Sequence, residues 1–501
     1  MFAACLFTAA QVSAQTPEDI LRFSQYNQGF GTARSAAMGG AFASLGADLS
    51  AMSINPAGLG MYRRSEIGIS PSFTSMQVKT SIADQIAGTD KLTRNRFSLN
   101  NVGAAFNVYN GGGSLTSVTL GFGYSKMLDL NYHSKISANA GNNTRLDMWG
   151  QQLAERGVKP PTNANEMLNP DDFKFDEWGA VNAYNSQIIR YDWDANAYHT
   201  DGMFDENTRF SYDYLRKNKG YVGQYDLSAG FNIMNKFYFG LGFGFQDLDY
   251  TQNYTYSEYT ENNSSNKLNQ YHYNTRLNLT GSAWNFKVGV IVRPIEELRL
   301  ALAFHTPTYI SIDDTYVTRT DAYFNNAQSE WAQIQPNFVD QYNMRTPPRL
   351  IAGASYNFYN MAILSVDYER VWYNNMKAFR DNWDEEDTYV STKAKEWYRP
   401  TNNIRVGLET VLANNIFGRL GYAFYDSYYK NSDLQDYAKV SNYSAGLGYR
   451  TSSWGVDLAY IFMNSKDAPD RAYEYNTSTR SDLFTAKNMR HNVTATLSFR
   501  F

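Results

Sequence analysis

Apolar and polar residues alternate with a period of two along most of the chain. The last stretch, HNVTATLSFRF, shows the pattern clearly: Val493, Ala495, Leu497, Phe499 and Phe501 fall on one face, and Asn492, Thr494, Thr496, Ser498 and Arg500 on the other. Such alternation describes a strand with one apolar face. It recurs at 237–245, where Phe237, Phe239, Leu241, Phe243 and Phe245 oppose Tyr238, Gly240, Gly242 and Gly244, and at 118–125, where Val118, Leu120, Phe122 and Tyr124 oppose Thr119, Gly121, Gly123 and Ser125. A bulky face alternating with glycine suits a wall with lipid outside and something packed closely inside.

Counted along the chain, the pattern predicts fourteen strands, near 66–79, 95–109, 114–132, 223–234, 236–258, 270–293, 297–315, 349–359, 361–378, 402–412, 415–430, 440–451, 453–465 and 485–501. Their connections alternate between short (110–114, 234–235, 294–296, 413–414, 451–453) and long (80–94, 133–222, 259–269, 316–348, 379–401, 431–439, 466–484). Short periplasmic turns, long extracellular loops and an even strand count are the arrangement of an up-and-down membrane barrel, and place both chain ends in the periplasm. A closed barrel also leaves no strand edge unpaired in lipid. The expected fold is therefore all-β: a 14-stranded antiparallel transmembrane β-barrel over 63–501, with a long extracellular insertion at 133–222. Within that insertion, 146–157 reads as a short helix burying Leu146, Trp149 and Leu153.

Composition agrees. Mean hydropathy is −0.51, yet 16% of the chain is Phe, Trp or Tyr, with 39 tyrosines. Low hydropathy with many aromatics fits a wall in which only alternate residues meet lipid. No apolar run beyond residue 14 reaches the roughly 18 residues of a spanning helix. A net charge of −4 supplies no basic patch for nucleic acid. Residues 1–14, MFAACLFTAAQVSA, read as the apolar part of a secretory signal peptide, cleaved before Gln15. The single cysteine, Cys5, lies inside it, so the mature chain has no thiol.

Fourteen strands enclose a lumen too wide for wall side chains alone to fill. Residues 15–62 are the expected plug, since GTARSAAMGGAFASLGADLSAMSINPAGLGM is made mostly of small residues. Glycines there permit tight turns, and Asn55-Pro56 fixes one just before the first strand.

This stretch resembles the N-terminal hatch of the FadL/TodX family of outer-membrane transporters for long-chain fatty acids and aromatic hydrocarbons. The family's Asn-Pro-Ala motif is matched by Asn55, Pro56 and Ala57. VRPIEELRLALAFHTPT (292–308), TPPRLIAGASYNF (346–358), LSVDYERVWYNNMK (364–377) and YSAGLGYRTSSWGVDLAYIF (443–462) also look similar. The resemblance implies a fourteen-stranded barrel, a hydrophobic ligand pocket above the hatch, and a third strand kinked inward to open sideways to the membrane. Gate elements would be Gly39, Gly40, Asn55, Pro56 and Ala57. Gly121 and Gly123 in strand 114–132 would permit the bend. Phe499 and Phe501 would form the C-terminal signal read by the barrel assembly machinery.

The implied function is passive uptake of a hydrophobic small molecule that leaves into outer-membrane lipid. Two alternatives stand beside it: a FadL-like shuttle holding exported protein cargo on the 133–222 and 316–348 loops, and a diffusion porin. No enzyme, cofactor or metal site is expected. The five histidines are dispersed without an H-E-x-x-H pattern, His305 reads as a lumen or rim residue, and the G-x-G-x-G run precedes no helix. The acidic run DNWDEEDTY (381–389) lacks a calcium-loop spacing and reads as a solvated loop.

Overall fold

The computed structural model describes residues 17–501 except 27–28, 30, 83–89, 158, 161–166, 201–202, 206, 262–266, 327, 336–339, 360, 380–382, 384 and 477–478. The expected signal peptide and Cys5 lie outside the described residues.

In chain order the strands are β1 (Glu66–Ile82), β2 (Asp90–Asn110), β3 (Leu115–Asp129), β4 (Tyr132–Gly141), β5 (Arg190–Asp192), β6 (Ala197–His199), β7 (Arg209–Ile233), β8 (Phe237–Glu261), β9 (Leu268–Val292), β10 (Leu298–His305) and β11 (Tyr309–Phe324). They continue as β12 (Ser329–Ile334), β13 (Asp340–Arg345), β14 (Arg349–Phe358), β15 (Ala362–Val371), β16 (Lys377–Phe379), β17 (Thr401–Ala413), β18 (Ile416–Tyr425), β19 (Val440–Arg450), β20 (Trp454–Lys466), β21 (Asp470–Arg471) and β22 (Leu483–Arg500). Several are consecutive pieces of one stave. β3 and β4 both pair with β7, β10 and β11 with β9, β12 and β13 with β11, and β14 with β10. Counted this way there are fourteen antiparallel staves, and β1 pairs with β22 to close the ring.

The breaks have local causes. Thr306-Pro307-Thr308 separates β10 from β11, and Thr346-Pro347-Pro348 separates β13 from β14. Proline supplies no ladder N–H, so the stave is interrupted there. Pairing resumes through Thr346 N–H to the Thr308 carbonyl, 3.0 Å.

At the short-turn end the outward side chains form an apolar belt. Phe243 is exposed on β8, Leu302 on β10, Leu447 on β19, Leu458 on β20 and Leu497 on β22. Aromatic residues border it, including Tyr225, Phe245, Trp284 and Tyr460. Beyond the belt β7, β8 and β9 run on, each 25 residues long, and enclose a second compartment. Its core is tyrosine-rich, holding Tyr212, Tyr250, Tyr256 and Tyr271.

The insertion after β4 packs into this compartment. Helix α4 (Arg145–Arg156) follows the shorter helices α1 (Pro17–Arg22), α2 (Ala33–Ala37) and α3 (Ala51–Ile54) in the chain. It buries Leu146, Trp149 and Leu153 on one face. Trp149 lies edge-on to Tyr273, with ring centroids 5.0 Å apart. Strand structure extends further into the insertion than periodicity suggests, to Gly141 and from Arg209, because here both faces are polar or tyrosine-bearing and the alternation fades.

Candidate functional site

Residues 31–62 run inside the ring and contact staves from around its circumference. After α2 the chain turns at Gly39 and Gly40, whose φ angles are +64° and +72°. A side chain would be strained at either position. The wall is cut to fit this segment. A β-carbon on Gly407 would lie 2.6 Å from the Met38 carbonyl oxygen, and one on Gly446 2.5 Å from the Ala37 β-carbon. One on Gly421 would overlap the Gly39 nitrogen.

The Asn55-Pro56-Ala57 turn sits the same way against β8 and β9, where β-carbons on Gly240 and Gly289 would overlap it. Asn55 is buried and bonds in two directions. Its Nδ2 donates to the Ala43 carbonyl at 2.8 Å, and its Oδ1 accepts the Ala57 N–H at 3.1 Å, starting the 3-10 turn Pro56–Met61. Gly240, which alternates with Phe239 and Leu241, is thus a point of close approach to the inner backbone.

Polar side chains fix the same segment. Arg34 donates to Glu409 on β17 through Nε (2.9 Å) and Nη2 (2.8 Å). Glu409 also accepts from Arg419, which pairs with Asp457 at 2.7 Å. Asp367 on β15 accepts the N–H groups of Phe42 and Ala43 at 2.8 and 2.9 Å. Ser444 accepts the Gly39 N–H at 3.0 Å, and Thr496 accepts the Ala33 N–H at 2.7 Å. His305 places Nε2 2.9 Å from the Ile54 carbonyl, which makes it a lumen residue holding the segment. Lys287 pairs with Asp226 and reaches the Met52 carbonyl. Buried charges paired around a ring specify one seating of the segment; removing a single partner strands its mate.

On the long-loop side of this segment lies a cavity of about 520 Å³. The first described residues, Pro17 to Arg22, form part of its lining, beside α6 (Thr388–Trp397), which follows α5 (Trp178–Asn185). They therefore sit at the far end from the C terminus, where Phe501 and Ser65 exchange backbone hydrogen bonds of 3.0 and 3.1 Å at the short-turn rim. The chamber is aromatic and charged rather than purely hydrophobic. Arg22 lies 4.6 Å over Tyr250, and Arg216 packs over Tyr132 and Tyr254 at 5.1 and 5.4 Å. Arg145 lies within 5.0 Å of the ring centres of Trp149, Tyr256 and Tyr273. Flat rings and guanidinium planes offer stacking surfaces for an aromatic or amphipathic guest.

The third stave leaves the wall. β3 ends at Asp129, and β4 continues from Tyr132 pairing with β7 but not with β2, so residues 90–100 of β2 are paired only to β1. Asp129 organises the bend by accepting the Asn131 N–H at 3.1 Å, and the Leu130 N–H donates to the Gly220 carbonyl at 3.0 Å. β4 crosses the inner face of β1: Tyr132 packs on Met76, Val78 and Ala486, and the Thr80 hydroxyl donates to the Lys135 carbonyl at 2.5 Å. The resulting groove is lined by Arg94, Arg96, Asp129, His133 and Arg490, and shares Met76, Asp129, Asn131, Tyr132 and Arg490 with the chamber.

Gly121 and Gly123 lie elsewhere in this stave, in unbroken ladder with Ala105 and Gly103. β-Carbons there would come within 2.7 Å of Met52, so these glycines admit the inner segment rather than the bend. The resemblance implied a bend in this stave, but Gly121 and Gly123 do not mark its place; its signal was the turn-forming pair Asp129 and Asn131 inside an apparent strand.

Of the remaining sequence-singled residues, Phe499 points outward into the belt, and Phe501 stacks 6.1 Å from it. In the acidic run Asp381 and Asp384 lie outside the described residues. Asp387 caps α6 by accepting the Tyr389 N–H at 2.9 Å, and Glu386 pairs with Lys377.

The chain is thus a closed fourteen-stave antiparallel barrel with residues 31–62 inside it and its third stave bent inward. No protein-family model matches the chain, and no characterised protein matches it by sequence. Its shape does match solved structures. The Pseudomonas putida toluene transporter TodX superposes with a TM-score of 0.52 at 11% identity, over 95% of this chain and 99% of TodX. A Pseudomonas aeruginosa FadL homologue gives 0.52 at 12% identity, over 94% and 97%. The chain has the fold of these proteins.

Proposed function

We propose that this protein is a bacterial outer-membrane channel for passive uptake of hydrophobic or aromatic small molecules, in the manner of the FadL/TodX transporters. Residues 1–14 act as the export signal, and 15–62 as the plug that keeps the lumen from leaking. The C terminus faces the periplasm. A ligand enters from the long-loop side into the tyrosine- and arginine-lined chamber, meets the plug below, and leaves sideways between β2 and β4 toward the membrane. No energy source is required, because the exit leads down the ligand's own partition gradient into lipid.

The observation that carries this reading is the bend of the third stave, which leaves residues 90–100 of β2 without a ladder partner on the side away from β1 and sets a small pocket of about 10 Å³ beside the chamber, with five residues lining both. Gly39, Gly40 and Asn55-Pro56-Ala57 set the seat of the plug, and the bend at Asp129–Asn131 sets the exit. The filled lumen argues against a diffusion porin, whose interior must stay open.

The test is equilibrium binding of toluene-like aromatics and long-chain fatty acids to the refolded barrel, wild type against Asn55→Ala. Saturable binding at micromolar levels or tighter, altered by the substitution, is expected. A folded barrel that binds neither class overturns the proposal.

A further inference from the structure

Four lysines stand side by side on the outside of the barrel. In the ladder Lys466 of β20 faces Lys487 of β22, Lys487 faces Lys79 of β1, and Lys79 faces Lys91 of β2. All four are exposed, and none has an ion-pair partner among the described residues. Lys466 alone has another contact, 4.6 Å over the Tyr437 ring. Like charges directly opposite one another destabilise a sheet, and four in consecutive register repeat that penalty three times. Only Lys466 has a carboxylate in range, that of Asp436, which pairs with Lys439; between this row and the aromatic pair Phe73–Phe97 below, the outward residues of the four strands are Ser, Thr, Asn, Gln, His, Met and Phe.

Height decides what the row can meet. Phe73 and Phe97, with centroids 4.9 Å apart, stand at the upper edge of the belt, and Phe97 is 81% exposed. Lys79 lies six residues further along β1, which is ~20 Å along the strand and ~15 Å along the membrane normal at a tilt of ~40°. The phosphates of ordinary phospholipids lie at the belt edge, well below the lysines. At ~4.8 Å between neighbouring strands, the row is ~14 Å wide, broad enough for more than one anionic group.

We propose that this row is a docking site for the phosphorylated sugar headgroup of an outer-leaflet glycolipid, whose acyl chains lie on the apolar belt beneath Phe73 and Phe97. The site rests on the outer-membrane reading of the barrel but not on what the barrel transports. Lysine ammonium groups act here as compact point charges toward phosphate. Bound phosphates supply the counter-charge that Lys79, Lys91 and Lys487 lack among the described residues.

The experiment uses the full refolded barrel in neutral detergent, with purified lipopolysaccharide carrying phosphorylated core sugars as probe and the same lipid after chemical dephosphorylation as control. Wild type is expected to bind the phosphorylated form at least about tenfold more tightly, with a preference that shrinks as salt rises. The fourfold variant Lys79→Gln, Lys91→Gln, Lys466→Gln, Lys487→Gln is expected to lose that preference. Lys217→Gln with Lys219→Gln, exposed on β7, is expected to keep it. The wild-type comparison stands even if a variant folds poorly. Equal binding of the two lipids by wild type, an unchanged preference in the fourfold variant, or full displacement by millimolar inorganic phosphate overturns the proposal.

Discussion

Asn55 and Gly289 meet with no room for a β-carbon between them: one built on Gly289 would overlap the Asn55 side-chain oxygen. The Asn55-Pro56-Ala57 turn is thereby fitted to a bare patch of backbone on β9. Gly289→Val is expected to push the turn off its seat while the strand still forms, since valine suits a strand. Planar-bilayer recording should then show ion conductance that wild type lacks. A variant that folds and stays closed would show that this turn is not the seal.

Deleting residues 15–50 removes the Arg34, Gly39 and Phe42 contacts but leaves every wall stave intact. The shortened chain is expected to give a folded barrel with large, steady conductance. Wild-type conductance after the deletion would sink the plug assignment.

Glu409 lies between Arg34 and Arg419. Glu409→Gln leaves two guanidinium groups inside the lumen without their shared carboxylate, at a cost of about 3–5 kcal/mol when one partner of a buried pair is lost. The expected readout is faster protease cleavage within residues 31–62 with the wall still resistant. Equal cleavage rates would mean the pair does not hold the plug.

Glu258, on β8 far above the belt, caps the start of α4. It accepts hydrogen bonds from Thr144, from the Arg145 N–H at 3.2 Å and from Tyr256 at 2.6 Å. Burial is the largest influence on its carboxyl and pushes it up to about 7, against the pull of those hydrogen bonds. A raised carboxyl favours the protonated folded form, so the cap is most stable below the unfolded value near 4.5 and loses stability as pH rises through about 7. The loss is on the order of 3 kcal/mol at most. Amide-exchange protection of α4 is expected to fall between pH 5 and pH 8 (roughly the span over which such a group titrates), and Glu258→Gln should flatten the change. A pH-independent wild type would contradict this.

Much of the barrel was legible in the sequence because only one face of each stave meets lipid. The alternation at Val493–Phe501 and Phe237–Phe245 identified both strands and their outward faces. The glycines opposite Phe237 and Leu241 also announced close packing inside, which Gly240 and Gly289 bear out. Where both faces meet protein or water the signal disappears, so β4, the start of β7 and β12–β13 read as loops. The bend at Leu130–Asn131 was hidden for another reason: it depends on Gly220 and Arg490, residues distant in sequence that receive the displaced backbone. The chamber's character was likewise out of reach, since Arg145, Arg216 and Tyr254 come from separate elements.

The ring of contacts around the plug also constrains the order of events during biogenesis. Arg34 finds its partner 375 positions later in the chain, and Ala33 finds Thr496 463 positions later. The segment that leaves the export machinery first is therefore the last to be seated. Until β22 pairs with β1, the ring of receptors stays open beside Thr496, and a chain of mostly small residues and glycines has little to aggregate with while it waits. Contacts of such long sequence separation form slowly, so closure of the ring and sealing of the lumen become a single late step.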